Sequence, residues 1–483
     1  MKQLSELISF ELSDTFKNVE IKDVTDDSRK VVSGGMFVAV EGNAADGKQY
    51  IQDAIAKGAV CVVLNGPKNS VRKNEDVIEV CAEDVRAELA HICAHFFQYN
   101  LDKIVAVTGT NGKSSTVDIV RQIWQAQNIK SASIGTLGVI TKDEKITTGL
   151  TSPGSVALHR ILSKLSADNV KNVAMEASSH GIIQKRIDDI KFDVCAFTNF
   201  SQDHLDYHKT LENYWDAKSR LFSELANSES VIIANADDEK FEQIFKIAQS
   251  RNIKCIGYGK NASDIKILDV ERGKNKQIVH VSFLQKDVQI DLPLVGDFQV
   301  YNTLCAMAIC YYTGVSLEYI IEAVKNLQPI LGRLEFVGSH NSANIFVDYA
   351  HTPDALKKAI LSLRPFAKNR LIVMFGCGGN RDAGKRKIMG QVASEFADIS
   401  VITDDNPRNE SPELIRKMIL EGCPNGIEIA DRAAAIKESI KLLQPGDILL
   451  VAGKGHEDYQ ILADKTIHFN DKEIIQGEIK CFL

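Results

Sequence analysis

A glycine-rich loop, Gly109-Thr-Asn-Gly-Lys-Ser-Ser115, has the residue types and spacing that bind phosphate. It follows an apolar run, Lys103–Val107, and apolar positions recur at helical spacing from Val117 to Gln125, so we predict strand, loop and helix. Backbone N–H groups and the helix N-terminus would then face the anion, a lysine adds charge, and a hydroxyl can ligate Mg²⁺. Val107 stands where the standard pattern has glycine, and an ordinary tight turn is the alternative. We favour phosphate binding because turn chemistry alone does not require Gly-Lys-Ser-Ser after a strand.

Polar clusters also follow other apolar runs that we predict to be strands. Open parallel sheets bind ligands outside the carboxyl ends of their strands. A single polar cluster after a strand could serve only to form a turn. Seven such clusters in two parts of the chain, however, predict two sheet edges that face each other with an active site between them. Besides the glycine loop, the clusters are Glu176–Gly181, Thr198–His204, Asp348–Pro353, Gly376–Asp382, Asp404–Glu410 and Gly453–Glu457.

Glu176, His204 and the Ser114 hydroxyl form a candidate Mg²⁺ shell, since oxygen ligands suit this ion and it bridges phosphates. For any one of them, helix capping or loop hydrogen bonding is an equal alternative. Zinc is disfavoured because the sequence has no C-x-x-C or H-x-x-H pair. Lys218 lies in a predicted amphipathic helix, Tyr214–Phe222, where a lysine is usually a solvated surface group.

The C-terminal clusters contain groups that suit an amino acid zwitterion. Arg381 and Lys385–Lys387 are predicted to form a cationic loop after a glycine-rich strand end, with a solvated face as the alternative. Asn406 and Arg408 flank a proline that fixes a turn, and an arginine can bind a carboxylate through two hydrogen bonds. Glu457 could pair with an ammonium group.

The hydrophobic pattern predicts three units that would position these clusters. Residues 1–98 contain short strand patterns and a helical pattern from Val85 to Tyr99. Residues 99–329 alternate helices with predicted strands, one of which is Val231–Ala234, and include an alternating stretch near 263–293 that predicts antiparallel strands. Residues 330–483 repeat the strand–helix rhythm. The predicted fold class is therefore α/β with parallel sheets and three domains, 1–98, 99–329 and 330–483.

Composition narrows the class of protein. The chain has 483 residues, 44% hydrophobic and 25% charged, which is typical of soluble globular proteins. A net charge of −7 disfavours nonspecific binding of nucleic acid. The N-terminus lacks a signal-peptide layout, and no apolar run approaches the length of a membrane span. Ten scattered cysteines predict reduced, mostly buried thiols in a cytoplasmic protein.

Taken together, the motifs resemble the Mur ligases, the ATP-dependent amide-forming enzymes of peptidoglycan synthesis. Asp27–Arg29 and Asp46–Tyr50 look like the family's N-terminal uridine-nucleotide domain. Asp405-Asn-Pro-Arg408 is similar to the signature of members that add meso-diaminopimelate, and lysine-adding members usually lack this arginine. The other shared motifs, which span the chain, are Thr108–Lys113, Thr198-Asn199 with Asp203–Asp206, Tyr301-Asn302, Gly332-Arg333, Asp348–His351 and Gly453–Glu457.

The resemblance implies a Mur-type N-terminal α/β domain, a central P-loop ATPase-like domain and a C-terminal Rossmann-like domain. It implies ATP-dependent addition of meso-diaminopimelate to the D-Glu γ-carboxylate of UDP-MurNAc-L-Ala-D-Glu through an acyl phosphate, in the cytoplasm. The expected cofactors are Mg²⁺ and ATP, the latter as co-substrate. The expected partners are the nucleotide-peptide, diaminopimelate and ATP, with no nucleic acid, no membrane insertion and a monomeric state.

The resemblance also implies roles for individual residues. ATP would contact Gly109, Thr110, Asn111, Gly112, Lys113, Ser114, Ser115, Asn302, Arg333 and Asp348. The nucleotide-peptide would contact Ser28, Thr151, Ser152, Ser178, Gln184 and Arg186. Diaminopimelate would contact Arg381, Asp405, Asn406, Pro407, Arg408, Gly453 and Glu457. Mg²⁺ would be held by Ser114, Glu176 and His204, and the catalytic residues would be Lys113, Lys218 as N6-carboxylysine, and the candidate base His351.

Three positions depart from the family pattern. Gln299 stands where the family usually has Asn, Lys185 where His is common, and Ser114 where some members have Thr. These differences bear on the contacts with nucleotide and substrate rather than on the reaction.

Three other functions are alternatives. Folylpoly-γ-glutamate synthetase has a related P-loop core but lacks the N-terminal unit, and Asp405-Asn-Pro-Arg408 does not fit it. A P-loop switch or motor would not need two motif-rich sheet edges, and the sequence has no N-K-x-D motif. A nonenzymatic UDP-sugar binder would explain the first unit only.

Overall fold

The computed structural model describes residues 1–42, 46–273 and 276–481. The fold class is α/β, as predicted, and its larger sheets follow one another along the chain. Short 3-10 turns occur at Leu4–Glu6, Ser28–Lys30, Gly47–Tyr50 and Arg364–Phe366, and a π-helical turn spans Leu221–Leu225.

The N-terminal sheet has the strand order β3-β4-β5-β7-β6, parallel except for the β6–β7 pair. Alternate residues of β7 face α3, and both contribute to one apolar core. The elements are β1 (Lys2–Gln3), β2 (Glu20–Ile21), β3 (Val24–Thr25), β4 (Gly35–Ala39), β5 (Ala59–Asn65), β6 (Ser70–Asn74), β7 (Val77–Ala82), α1 (Asp14–Lys17), α2 (Ile51–Ala56) and α3 (Val85–Phe96).

The middle sheet has the order β11-β10-β9-β12-β8-β13-β14-β15-β16-β17-β18 among the described residues. Its strands are β8 (Lys103–Thr108), β9 (Ser131–Gly135), β10 (Gly138–Ile140), β11 (Lys145–Ile146), β12 (Asn172–Glu176), β13 (Phe192–Phe197), β14 (Ala226–Asn235), β15 (Lys254–Gly259), β16 (Ile265–Arg272), β17 (Gln277–Phe283) and β18 (Lys286–Leu292). Its helices are α4 (Lys113–Ala126), α5 (Ser155–Ala167), α6 (Ser179–Ile183), α7 (Leu205–His208), α8 (Leu211–Arg220), α9 (Phe241–Ser250), α10 (Asp297–Tyr312) and α11 (Leu317–Val324).

The strands from β9 to β16 are parallel, whereas β16, β17 and β18 are antiparallel, as the alternating pattern predicted. Strand β8 is buried on both faces, which explains its continuous apolar sequence. Helix α10 packs against α4 and is buried along most of its length, as expected for a helix that is apolar all round. Strand β14 begins at Ala226 rather than at the predicted Val231, because its first residue pairs with Phe192 across an irregularity in register.

The C-terminal sheet has the order β19-β20-β24-β21-β22-β23, and only the β19–β20 pair is antiparallel. Its elements, with a small β25–β26 hairpin, are β19 (Glu335–His340), β20 (Ala343–Asp348), β21 (Leu371–Phe375), β22 (Ile399–Ile402), β23 (Ile427–Glu428), β24 (Ile448–Ala452), β25 (Tyr459–Ile461), β26 (Thr466–His468), α12 (Pro353–Leu363), α13 (Gly384–Phe396), α14 (Pro412–Leu420), α15 (Arg432–Lys441) and α16 (Asp471–Cys481).

Two further sequence predictions concern cysteines and membranes. The ten cysteines are free thiols in the described structure, and most of them are buried. Among the described helices, none has both the length and the apolar character that crossing a bilayer requires.

Candidate active site

The phosphate-binding loop connects β8 to α4 through two glycines with positive φ. Gly109 has φ +145°, and a Cβ atom there would lie 2.0 Å from Thr198 Oγ1. Gly112 has φ +88°, and its Cβ would lie 2.4 Å from Asn302 Oδ1. Only glycine combines these backbone angles with such close neighbours, so the loop can turn sharply and point its N–H groups at an anion. Helix α4 begins at Lys113, which puts its N-terminus at the loop.

Lys113 and Lys218 both donate to the carbonyl oxygen of Gly109, each at 2.8 Å. Lys218 is only 1% exposed and lies 4.4 Å above the Tyr214 ring. The interpretation of Lys218 as a solvated surface group is therefore wrong, because α8 turns this side chain inward beneath the loop. Burial, followed by the charge of Lys113, lowers the pKa of Lys218 well below its usual value. Burial also lowers the pKa of Lys113.

The C-terminal unit forms the opposite wall of the nucleotide cleft. Arg333 Nη2 donates to Ser114 Oγ at 3.2 Å, its guanidinium lies 4.7 Å from the Tyr349 ring, and its buried Nε has no hydrogen-bond partner among the described residues. Burial raises the pKa of Asp348 to about 6, although Arg333 and two backbone N–H groups favour its carboxylate. A cavity of about 460 Å³ between the walls is lined by loop residues and by Asn302, Arg333 and Asp348. The structure thus brings together residues of the middle and C-terminal units that the sequence predicts to bind ATP.

His351, the candidate base, also lines this cavity. Its Nδ1 lies 2.9 Å from the Tyr349 carbonyl oxygen, which assigns the proton to Nδ1 and leaves Nε2 as the proton acceptor. Burial and then the charge of Lys385 lower the pKa of His351. A neutral imidazole is the form that can accept a proton.

The residues predicted to bind Mg²⁺ lie close to the glycine loop, where their side chains already contact other residues of the protein. Glu176 accepts from the Thr136 N–H at 2.8 Å and from its hydroxyl at 3.2 Å. Burial lowers the pKa of His204 to about 4, so its imidazole is neutral and able to ligate at neutral pH. In the described part of the chain, no group of three His, Cys, Asp or Glu side chains is arranged to hold a metal. A hydroxyl, a carboxylate and an imidazole nevertheless fit Mg²⁺, which takes few protein ligands when phosphates complete its shell.

In the middle unit, the residues predicted to bind the nucleotide-peptide lie around Ser152. Its hydroxyl donates to the Glu176 carbonyl and lies 2.9 Å from the Ser178 hydroxyl. Arg186 donates to the Ser152 carbonyl at 2.8 Å and to Gln184 at 2.7 Å. Lys185, the residue between them, instead pairs with Asp84 of the N-terminal unit at 2.8 Å.

Two further predicted contacts of the nucleotide-peptide can be located. The Thr151 hydroxyl lies 3.0 Å from the Thr136 hydroxyl, which itself contacts Glu176. Ser28 is buried in a 3-10 turn of the N-terminal unit, and its carbonyl accepts from Lys57. The structure records no hydrogen bond between Ser28 and the Ser152 group within the described residues.

The residues predicted to bind the amino acid lie on loops that pack tightly together. Asn406 Nδ2 donates to Glu457 Oε2 at 2.8 Å, and Arg408 Nη1 donates to the Gly379 carbonyl at 2.8 Å. A Cβ at Gly379 would lie 1.9 Å from the Pro407 carbonyl oxygen, and one at Gly453 would lie 2.7 Å from Asp405 Oδ2. Such contacts hold the loops after β21, β22 and β24 in one cluster.

The predicted cationic loop is only partly correct. Arg381 is exposed, and its Cγ lies near Gly378, next to Arg408 Nη1. Lys385, Arg386 and Lys387, however, belong to α13, and Arg386 is 2% exposed. Arg386 pairs with Glu410 at 2.9 Å and so ties α13 to the loop that carries Arg408. Three adjacent basic residues do not reveal which one a helix turns inward.

Sequence reasoning missed three residues at the site. Asn199 exchanges hydrogen bonds with the Asn111 backbone at 3.0 Å, and its place beside Thr198 in a strand-end motif was the available signal. Asp354 Oδ2 accepts from Asn111 Nδ2 at 3.2 Å across the cleft, a contact without a local signal. Lys454 is fully buried between Asn406 and Glu457, inside a cluster whose other members were assigned.

Family models match most of the chain. The model described as Mur ligase family, catalytic domain, matches residues 20–97; Mur ligase middle domain matches 107–310; and Mur ligase, glutamate ligase domain, matches 332–455. A curated relative, the UDP-N-acetylmuramoyl-L-alanyl-D-glutamate–2,6-diaminopimelate ligase of Agrobacterium fabrum, is 41% identical over 478 residues, covering 99% of this chain and 96% of that protein.

Solved structures show the same relationship. A structure of UDP-N-acetylmuramoyl-L-alanyl-D-glutamate–2,6-diaminopimelate ligase has 30% identity and a TM-score of 0.74, and the match covers 100% of this chain and 99% of that one. Mycobacterium tuberculosis folylpolyglutamate synthase, complexed with ADP and AMPPCP, shares the fold at 15% identity and a TM-score of 0.64, covering 76% of this chain and 92% of its own.

Proposed function

Because this chain belongs to the Mur ligase family, we propose that it joins meso-diaminopimelate to the D-Glu γ-carboxylate of UDP-MurNAc-L-Ala-D-Glu, converting ATP to ADP and phosphate. It is an ATP-dependent ligase of peptidoglycan precursor synthesis. We place the reaction in the cytoplasm and assign it to a monomer.

The observation that carries the proposal is a cleft with uncompensated cations on both walls. Lys113 in the glycine loop donates only to backbone carbonyls and Arg333 on the opposite wall donates to a hydroxyl, and neither forms an ion pair among the described residues. Arg186, beside Ser152, likewise donates only to neutral oxygens. Partly buried cations without anionic partners are costly unless a ligand supplies the charge. ATP phosphates and a carboxylate substrate are ligands that would do so.

The reaction requires activation of the acceptor carboxylate. A carboxylate is a poor acyl donor because its leaving group would be oxide, whereas transfer of the ATP γ-phosphoryl group gives an acyl phosphate, from which phosphate can leave. Lys113 and Arg333 would stabilise the negative charge of the transferring group from opposite sides. Mg²⁺, held by Ser114, Glu176 and His204, would add further charge stabilisation.

Lys218 would act as a carbamate. Its deprotonated amine can add CO₂ and lose a proton, so the carbamate would be negative where a protonated lysine is positive. That negative charge would offset the charge of Lys113, whose Nζ lies at the same Gly109 carbonyl oxygen as Lys218 Nζ. A further oxygen ligand, beside Ser114 and Glu176, would also become available for the metal beneath the loop.

The amine of diaminopimelate would then attack the acyl phosphate. His351 Nε2 would accept the proton that the amine must lose, and phosphate would leave from the tetrahedral intermediate. Asn406, Arg408 and Glu457 would bind the distal amino-acid end, since a guanidinium suits its carboxylate and a carboxylate suits its ammonium. Arg381, Asp405, Pro407 and Gly453 would complete this pocket.

The proposal is tested by measuring whether ATP turnover depends on the added amine. Phosphate release should require Mg²⁺, UDP-MurNAc-L-Ala-D-Glu and an added amino acid together. A folate polyglutamylating enzyme would instead respond to a folate substrate, and a switch would hydrolyse a nucleotide without the amine. Turnover that is unchanged when the nucleotide-peptide is omitted would contradict the proposal.

A further inference from the structure

Lys454 is the buried cation of the amino-acid site, and its surroundings suggest a role of its own. It follows Gly453, whose φ of +111° and close approach to Asp405 press the loop after β24 against the loop after β22. The side chain is 0% exposed, although a lysine in a loop is ordinarily solvated. It therefore points into the space between the two loops.

The contacts of Lys454 form a closed triangle. Its Nζ donates to Asn406 Oδ1 at 3.0 Å and to Glu457 Oε2 at 3.2 Å, and Asn406 Nδ2 donates to the same Glu457 oxygen at 2.8 Å. Asn406 Oδ1 also accepts from the Ile461 N–H at 3.0 Å. Two donors thus fix the orientation of the amide, whose N–H group must then face Glu457.

The other charged groups around Glu457 do not replace this lysine. The negative charge of Asp405 raises the pKa of Glu457, and Tyr349 and Tyr459 are neutral phenols whose own pKa values the charge of Glu457 helps to raise. Arg432 is paired with Asp471 at 2.8 Å, and Arg408 donates to the Gly379 and Asn406 carbonyls. Within the described structure, Lys454 is the cation that forms an ion pair with Glu457.

We propose that Lys454 is a positioning residue that keeps Glu457 ionised and Asn406 oriented, and thereby determines how tightly this site binds an ammonium-bearing amino acid. This inference rests on the proposed function, since it concerns the site for the incoming diamino acid. An ionised carboxylate attracts the substrate ammonium, whereas a protonated one does not. Lys454 acts through these two side chains and makes no contact with substrate.

The charged groups around Glu457 determine how pH should change the affinity of the site for the substrate ammonium. Burial raises the pKa of Glu457, and Lys454 is the first of the groups that lower it. Without Lys454 the pKa rises further, so Glu457 becomes protonated at a higher pH. Affinity for the ammonium should then be lost at neutral pH and recovered as the pH increases.

The test compares Lys454→Met with wild type between about pH 6 and pH 9. We expect the KM for diaminopimelate at neutral pH to rise at least about tenfold, since a charged hydrogen bond is involved. The KM should approach the wild-type value at alkaline pH, while the KM values for ATP and nucleotide-peptide stay within about twofold. Lys465→Met, an exposed lysine of the β25–β26 turn, is the matched control and should behave as wild type.

A double-mutant cycle keeps the inference falsifiable if the single variant folds poorly. Lys454→Met with Glu457→Gln removes both charges of the pair and leaves no buried ion alone. Because Lys454 acts mainly through Glu457, this double variant should have a KM for diaminopimelate within about twofold of that of Glu457→Gln alone, the remainder reflecting the orientation of Asn406. Additive effects, or a KM that rises equally for all three substrates at every pH, would overturn the positioning role. Wild-type enzyme that does not use diaminopimelate would instead overturn the proposed function, and with it this inference.

Discussion

Lys218 and Lys113 share one hydrogen-bond acceptor, the Gly109 carbonyl oxygen, beneath a loop built to bind anions. Two ammonium groups at one oxygen repel each other, and burial removes the water that would screen them. A lowered pKa makes the neutral amine, which is the form that reacts with CO₂, easier to reach. These contacts support the carbamate proposed for Lys218.

Lys218→Ala is expected to lower kcat at least about a hundredfold, because an anionic partner of the loop and metal would be lost. Phosphate release measures this effect. Carbon NMR of protein equilibrated with ¹³CO₂ should show a carbamate signal in wild type and none in the variant. Lys246→Ala, which changes an exposed lysine of α9, should leave both measurements unchanged. Full activity of Lys218→Ala would show that the carbamate assignment is wrong.

His159 is a buried histidine that we expect to lower the stability of the protein in acid. It is 0% exposed, neither ring nitrogen has a hydrogen-bond partner in the part of the chain that the structure describes, and burial lowers its pKa to about 4. The unfolded chain binds a proton near pH 6.5, so this group costs stability as the pH falls from about 6.5 to about 4. The full cost is about 3 kcal/mol.

Thermal unfolding at about pH 7 and about pH 5 measures this cost. The loss of Tm on acidification should be smaller for His159→Leu than for wild type. Some loss will persist because burial also lowers the pKa of His204 to about 4 and that of His456 to about 3. His468→Gln, at an exposed position, should retain the whole acid loss. An identical loss in His159→Leu and wild type would contradict the assignment.

The sequence predicted most residue types at the site but not which side chains are buried. The glycine loop, Arg333 and Glu457 were recognisable because their motifs follow strand ends. The burial of Lys218, Arg386 and Lys454 depends on how helices and loops pack across units. Hydrophobic spacing does not report that packing for a single lysine or arginine.

At the scale of elements, the loops at strand ends depend on glycines that no other residue can replace. Gly109→Ala would place a Cβ 2.0 Å from Thr198 Oγ1 at a φ of +145°, so the loop must open. We expect this variant to lose nearly all ATP-dependent turnover and to destabilise the protein by about 1–3 kcal/mol.

Nucleotide binding and Tm should be measured together on this variant. Gly477→Ala is the matched control, since Gly477 lies within α16 with open space around its Cβ position. Alanine there should leave turnover unchanged and stabilise the helix by up to about 1 kcal/mol. Normal ATP binding by Gly109→Ala would contradict the proposed role of the loop.

The strands and helices themselves were largely predictable. Buried parallel strands such as β8 and β12 have continuous apolar sequences, and the alternation of β17 marks an antiparallel strand. The start of β14 was missed because Asn227–Ser230 are polar and turn-like in sequence. They lie in the irregularity between the pairs Ala226–Phe192 and Val231–Val194, where Ser230 Oγ donates to the Phe192 carbonyl, a tertiary contact that local sequence does not predict.

At the scale of the whole molecule, Asp354 connects two units across the nucleotide cleft. It lies in the first turn of α12 and accepts from Asn111 and Ser201 of the middle unit at 3.2 Å. Asp354→Ala should raise the KM for ATP about three- to tenfold, because the loop loses support equivalent to about one charged hydrogen bond. The KM for diaminopimelate should change less than about twofold.

Glu413→Ala is the control for this variant, since Glu413 also occupies the first turn of a helix in the same unit but is exposed. It should have wild-type KM values. Equal changes in all KM values for Asp354→Ala would point to a general loss of structure instead of a contact that supports the nucleotide loop.

The proposed activity of this chain is the addition of meso-diaminopimelate to a nucleotide-linked dipeptide, and a comparison of two amines tests it most directly. Phosphate release is measured with ATP, Mg²⁺ and UDP-MurNAc-L-Ala-D-Glu, with either meso-diaminopimelate or L-lysine. The site formed by Asn406, Arg408 and Glu457 predicts release with diaminopimelate and at least about a hundredfold less with lysine, which lacks the second carboxylate. Preference for lysine would overturn the amino-acid assignment, and no release with either amine would contradict the ligase itself.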